Sequence, residues 1–278
     1  MSKNKEYMDI LVITVFKNDF SQTIRTLDSL QVTERKFNVI LKNGGQLLSL
    51  EHKNILENYL GNLKIYLYES IDEGIYDAMN QALLFAKSNL LLEKNNWIWF
   101  LNSGDVIDRS PIGVINMDLS CYTNAGIKFG QPSYGLQKET RIAHRIDELK
   151  FLLGDIRFNH QAVLFHKRIF YELGLFNRRY KITADYNFIH RALKANSFEY
   201  IDWLKIGVES GGLSESRATE AEVEKLIYLL SLFCIEKKVH FLSIFRKRAI
   251  SLGKHMIKNL LSRNVSRITY LIIHGFKR

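Results

Sequence analysis

The first hundred residues repeat one pattern: a short β-rich apolar run, a polar loop, then a stretch of helical periodicity. Ile10 to Phe16 (ILVITVF) is β-branched and bounded by polar residues, which predicts a buried strand. A helix from about Asp19 to Leu30 and a strand over Phe37 to Leu41 follow, and Asn43-Gly44-Gly45 marks a turn. A helix from about Ser49 to Leu60, a strand over Leu63 to Tyr68 and a helix from about Gly74 to Lys87 continue the series. The last of these carries Ile75, Met79, Ala82, Leu83 and Ala86 on one face. Trp97 to Leu101 (WIWFL) is a fourth strand and runs straight into Asn102-Ser103-Gly104-Asp105. Such alternation implies a parallel sheet with helices on both faces. Ligands of these sheets bind beyond the carboxyl ends of the strands. Lys17-Asn18, Asn43-Gly44, Asp72 and Asn102 to Asp105 each follow a strand, so the pattern gathers them at one end of the sheet.

Residues 110 to 160 hold both prolines, Pro111 and Pro132, and read as an irregular surface layer. Ala162 to Phe165 predicts a strand, Lys167 to Leu173 a short helix, and Ala184-Asp185 opens a helix running through Leu193. Phe198 to Val208 is strand-like, Gly211-Gly212 breaks the chain, and the remainder after Glu215 reads as helix. No repeat or low-complexity linker interrupts the chain. The expected organisation is an α/β domain over residues 1–218 and a basic helical extension over 219–278.

Composition narrows the class. With 46% hydrophobic and 24% charged residues, disordered, collagen-like and disulfide-scaffold chains are excluded. The apolar run Leu226 to Ile235 is about half as long as a membrane-spanning helix requires. Met1 to Tyr7 is polar, so no signal peptide is expected. Cys121 and Cys234 lack metal-ligand spacing and suit reduced thiols. The expectation is a cytoplasmic protein.

The charge is unevenly divided. Net charge is +10, yet residues 237–278 hold eleven Lys/Arg and no Asp or Glu, which leaves the body near neutral. On a helical wheel Leu242, Phe245, Ala249, Leu252, Met256 and Leu260 share one face. Lys247, Ser251, Lys254 and Lys258 form the opposing stripe, flanked by Arg246 and Arg248. This pattern suits a helix lying on an anionic membrane surface, on the inner face of the cytoplasmic membrane; the same face could instead pack on the body. No recognition-module signature accompanies the basic residues, so nucleic acid is not the expected partner.

No G-x-G-x-x-G or G-x-x-x-x-G-K-[ST] is present, which argues against dinucleotide and P-loop sites. Asp105 beside Gly104 suits a hard-metal ligand or a turn cap. Asp72, near Gly74, suits the positive end of a helix dipole. Asp185 lies between Tyr180 and Tyr186, and a carboxylate among aromatic rings is expected to have a raised pKa, useful to a general base; the same residue equally suits a helix start.

Asp72 to Ala82 (DEGIYDAMNQA) followed by Trp97 to Asp105 (WIWFLNSGD) closely resembles the family-2 glycosyltransferases, in particular enzymes of bacterial capsule, colanic-acid and O-antigen assembly. Ile13 to Asp19 (ITVFKND), His160 to Phe165 (HQAVLF), Tyr180 to Tyr186 (YKITADY) and Gly211 to Ser214 (GGLS) recur there in the same order. The resemblance spans residues 8 to 216. It implies a GT-A fold, a Rossmann-like, mostly parallel sheet flanked by helices. It also implies a nucleotide-sugar donor, inversion at the anomeric carbon, and a lipid-linked or oligosaccharide acceptor. By the same resemblance, Thr14, Asn18 and Asn43 would border the nucleotide and Asp72 would meet its base or ribose. Asn102, Ser103 and Gly104 would line the donor, Asp105 would hold Mg²⁺ or Mn²⁺, and Asp185 would be the catalytic base. His160, Gln161 and Ser214 join the site as motif members. Asn43 stands where an Asp is usual and Ser103 where the first Asp of D-x-D is usual, so metal ligation leans on Asp105. A nucleotidyltransferase, or a catalytically inactive basic adaptor on the same fold, are the competing readings.

Overall fold

The computed structural model describes residues 10–31, 36–59, 62–107, 126–133, 151–152, 159–208, 216–236, 244, 246–254 and 256–257. Four strands, β1 (Ile10–Phe16), β2 (Phe37–Asn43), β3 (Leu63–Glu69) and β4 (Trp97–Phe100), alternate with helices α1 (Phe20–Gln31), α2 (Leu50–Glu57) and α3 (Ile75–Ser88), as the periodicity predicts. A one-turn helix, α4 (Leu91–Lys94), precedes β4. Ser49 caps α2 by accepting from His52 N, and the helix stops at Glu57 rather than reaching Leu60.

The second half contributes β5 (Val106–Ile107), β6 (Ile127–Ser133), β7 (Val163–His166), α5 (Lys167–Leu173), α6 (Ala184–Ala195), β8 (Phe198–Gly207) and α7 (Ala218–Glu236). Among the described residues the strands form one eight-stranded sheet in the order β3-β2-β1-β4-β7-β6-β8-β5. Four of its seven pairings are parallel (β3–β2, β2–β1, β1–β4, β6–β8) and the other three antiparallel. The order reverses between β1 and β4, the position where sheets of this kind open a crevice for ligands.

Strand β6 corrects the expectation of an irregular segment. Gly130 and Pro132, both strand-weakening residues, disguise it in the sequence. The structure uses them at a register shift between Phe129 and Gln131, where a Cβ on Gly130 would come within 1.9 Å of the Leu204 carbonyl oxygen. Two apolar layers sandwich the sheet. Leu11, Ile13 and Val15 of β1 face one, with Met79, Ala82 and Phe188; Ile10, Val12 and Phe16 face the other, with Leu27, Leu30 and Leu56.

Helix α7 is fastened to the body. Glu224 accepts from three successive backbone N–H groups, Lys181 (2.8 Å), Ile182 (3.0 Å) and Thr183 (2.9 Å). The Tyr228 hydroxyl lies 2.5 Å from His190 Nδ1. Residues 246–254 are again helical, with Ile244 and Arg248 buried one turn apart. Arg248 therefore does not flank a solvent-facing stripe as expected. Its Nε donates to the Leu152 carbonyl at 3.0 Å, and Nη1 lies 3.4 Å from Glu222 Oε2. No helix among the described residues is long and apolar enough to cross a membrane.

Candidate active site

Three strand-end loops close on one another around the turn after β2. Asn18 sits in the left-handed region (φ 59°) and its Oδ1 accepts from Gln46 N at 3.0 Å. Asp72 reaches the same turn from β3, accepting from Gly74 N at 3.2 Å and pairing with Lys42 Nζ at 3.1 Å. A Cβ on Gly44 would meet Asp72 Oδ2 at 1.7 Å, and one on Gly45 would meet Asn18 Oδ1 at 2.1 Å. Only glycines allow this approach.

Lys42 is wholly buried, and its ammonium has three acceptors: the carbonyls of Asn43 (3.1 Å) and Ser70 (2.6 Å), and the carboxylate of Asp72. A buried cation persists only with such partners. Burial raises the Glu69 carboxyl, but its bonds from Leu48 N, Lys53 and Asn43 outweigh this and hold it below its ordinary value.

Two expected donor contacts are corrected. Asn43 is 1% exposed and both ends of its amide serve the turn: Oδ1 accepts from Gly45 N at 2.9 Å, and Nδ2 donates to Gln46 O at 2.7 Å. It shapes the loop rather than presenting a free group. Thr14 is wholly buried, because strand alternation sends it with Val12 and Phe16 into the layer beneath α1.

The loop after β4 is pinned to α1. The Thr23 and Ser103 hydroxyls lie 3.1 Å apart, and Thr26 Oγ1 accepts from Gly104 N at 2.9 Å. Gly104 takes φ 95°, and Asp105 N closes the turn onto Asn102 O at 3.1 Å. Asp105 is buried and is the loop's one carboxylate. Among the described residues no group of three or more His, Cys, Asp or Glu could hold a metal. Asp105 could supply one carboxylate to a divalent cation, a number that suits Mg²⁺ at nucleotide sites.

At the other end of the site Asp185 occupies the first turn of α6. Its Oδ1 accepts from Tyr186 N at 2.8 Å and lies 2.7 Å from the Tyr76 hydroxyl, while Oδ2 lies 2.9 Å from His160 Nδ1. Burial pushes the carboxyl up. The bonds from His160, Tyr76 and the Tyr186 backbone outweigh it, so the pKa is lowered, not raised as its aromatic neighbours predicted. Tyr76, buried against this carboxylate, is raised well above its ordinary value. The side chain of Asp185 keeps 22% exposure, and His160 Nε2 lies 3.2 Å from Asn102 Nδ2.

The D-E-G-I-Y-D-A-M-N motif supplies more than Asp72. Asp77 binds Arg178 Nη1 at 2.5 Å, and Asn80 both donates to Phe176 O (2.9 Å) and accepts from Phe176 N (3.0 Å). Both side chains hold the 176–178 segment that leads to Asp185. Gln161 gives its backbone carbonyl to Trp99 Nε1 at 2.6 Å, and Ser214 lies outside the described residues. Sequence reasoning missed Tyr76, Lys42, Thr23, Thr26 and Glu224. The lysine alone carried a signal, a cation at the end of the apolar run Val39-Ile40-Leu41.

No family model matches the chain. Glycosyltransferases of PGL/p-HBAD biosynthesis from Mycobacterium bovis (strain BCG / Pasteur 1173P2) and Mycobacterium tuberculosis (strain ATCC 25618 / H37Rv) are each 26% identical to it over 204 residues, covering 68% of this chain and 72% of theirs. The crystal structure of S. aureus TarS 1-349 in complex with UDP matches with a TM-score of 0.56 at 15% identity, covering 80% of this chain; the chain spans 66% of that structure's length, just under two thirds. The mannosyltransferase PcManGT from Pyrobaculum calidifontis, in complex with GDP-Man and Mn²⁺, matches with a TM-score of 0.57 at 10% identity, covering 95% of this chain and 82% of its own. The chain has the fold of these GT-A glycosyltransferases, and its sequence is similar to proteins named for the same activity, as its motifs imply.

Proposed function

We propose that this chain, as a glycosyltransferase of GT-A fold, is inverting and metal-dependent, and transfers a sugar from a nucleotide-sugar donor to a polyprenyl-diphosphate-linked glycan during surface polysaccharide assembly. One observation carries the proposal: an ionised, partly exposed carboxylate, Asp185, is joined through a single imidazole to the loop carrying Asp105. In this reading Asn18 and Asp72 border the nucleotide, and Asp105 would hold Mg²⁺ or Mn²⁺. The metal supplies charge stabilisation for the departing diphosphate.

The Asp185 carboxylate accepts from the Tyr186 N–H and faces His160 Nδ1 and the Tyr76 hydroxyl, whose single proton is shared with the Ile182 carbonyl, and it keeps lone-pair capacity for the acceptor hydroxyl. A carboxylate of lowered pKa is a weak base in the ground state. It takes the proton late, as the hydroxyl becomes acidic on bonding to the anomeric carbon. A single base opposite the leaving group gives inversion.

The C-terminal region supports a membrane-peripheral setting. Helix α7 buries Leu226, Tyr228 and Leu229 yet exposes Val223, Ile227 and Leu230 on its opposite side. Further on, Ile250, Met256 and Ile257 are exposed near Arg246, Lys247 and Lys254, the combination that interfacial helices present to anionic headgroups. Leu242, Phe245 and Leu260 of the expected apolar face lie outside the described residues; of its other members Ala249 and Met256 are exposed and Leu252 is half-buried.

A panel of UDP- and GDP-sugars, incubated with the protein and Mg²⁺ or Mn²⁺, should release free nucleoside diphosphate from one donor class. Asp105→Ala should lose the metal-dependent part of diphosphate binding by calorimetry. Absence of any metal-stimulated release would favour the inactive adaptor.

A further inference from the structure

The two ends of the proposed site are not independent. His160 stands between them in a 3₁₀ turn (His160–Ala162) that leads into β7, with one ring nitrogen on each. Asp185 Oδ2 accepts and cannot donate, so the proton of a neutral ring lies on Nδ1. Nε2 then accepts, and its partner is the amide nitrogen of Asn102, at the end of β4. With the Asn102 amide in this orientation, a neutral ring makes both bonds at once only in this tautomer. The arrangement leaves Asn102 Oδ1 buried with no hydrogen-bond partner among the described residues. Asn102 begins the loop whose next residues, Ser103 and Gly104, are fixed to α1 through Thr23 and Thr26. On the far side, Tyr76 of α3 and the Tyr186 backbone hold the other oxygen of Asp185.

Resting on the proposed transferase reading, we infer that His160 is a positioning residue that couples the donor loop to the base: a donor hydroxyl that reaches Asn102 Oδ1 holds the Asn102 amide on Nε2, and so steadies the imidazole that aligns Asp185. Both imidazole bonds are in place without a donor, so a seated donor tightens the hold on the base rather than creating it. The lowered pKa of Asp185 accords with a bond donated from this side. The other titratable or charged groups around it are Tyr76, then Glu224 on α7, with Lys225 and Arg248 over the Tyr186 ring. All of them remain in the variants below.

Two substitutions separate the arms. Asparagine places its amide nitrogen near the position of Nδ1, and glutamine reaches that of Nε2. His160→Asn should therefore keep the acid limb of the wild-type kcat profile while raising the donor KM several-fold. His160→Gln should keep the donor KM, lower kcat by at least about tenfold and move the acid limb to higher pH. On the unsubstituted chain, nitrogen NMR of ¹⁵N-histidine protein should find the His160 proton on Nδ1, with its signal shifting when UDP or GDP and Mg²⁺ are added. A proton on Nε2, or variants that share one pH profile and one KM change, would overturn the coupling. Asp185→Asn, assayed in parallel, distinguishes that failure from failure of the transferase reading: full activity in it removes the base itself, and the coupling falls with it.

Discussion

The proposed nucleotide end and the proposed base end of the site are both polar clusters at one edge of the same sheet, and they are wired in opposite ways. Around Gly44 and Gly45, side chains bond chiefly to main chain: Asn18 to Gln46 N, Asn43 to Gly45 N and Gln46 O, Lys42 to the carbonyls of Asn43 and Ser70. Around Asp185 they bond chiefly to one another: carboxylate to imidazole, imidazole to amide, phenol to carboxylate. Main-chain partners are set by the fold and do not titrate, so the first cluster is scaffold. Side-chain partners rotate and exchange protons, so the second cluster can respond to a ligand.

The contrast is broken most directly at Asp185. Asp185→Asn keeps the shape and removes the charge, and transfer should fall by about 10²- to 10⁴-fold while calorimetric binding of the donor nucleotide persists. Its pH signature has a definite sign. The folded pKa lies below the unfolded one, so the group stabilises the fold above the ordinary carboxylate range and loses that contribution as pH falls. Between about pH 5 and 3 the wild type should lose more unfolding free energy than the Asn variant.

Lys42→Met tests the scaffold end. It leaves Asp72 buried beside no cation, and urea unfolding should show a loss of about 3–5 kcal/mol. A stability change near zero, with donor binding lost, would make this end responsive like the other. The smallest effect belongs to the open face of α7. Ile227→Asn should change stability by no more than about 0.5 kcal/mol, since its side chain is already exposed. It should nevertheless weaken co-sedimentation of the full chain with anionic vesicles, an association that itself declines with salt. Unchanged sedimentation would remove this face from the proposed membrane contact.

The first four strands and their helices were legible because each carries an uninterrupted period, and their loops followed from strand position alone. Strand β6 was not, because Gly130 and Pro132 break its alternation for the sake of a register shift that only the neighbouring β8 explains. At the site, the residue types at the loop tips were readable but their duties were not. Asp185 looked desolvated by aromatic rings in the sequence, whereas its state is set by His160, twenty-five positions away, and by Tyr76, more than a hundred. Thr14 carried the right chemistry on the wrong face of its strand, and the Asn43 amide was already engaged by its own turn. Burial and long-range polar pairing depend on which elements meet, and a local pattern does not encode that.

Glu224 has a practical bearing on where this protein can be shortened. The motifs end before residue 218, which invites a catalytic fragment cut at that point. Such a fragment would strip the carboxylate from three consecutive amides at 181–183, the residues from which Asp185 springs, and hand them to solvent. A fragment that keeps those amides covered has to include α7, and because Arg248 is tied to Leu152 and Glu222, a cut between the two helices trades one loose end for another.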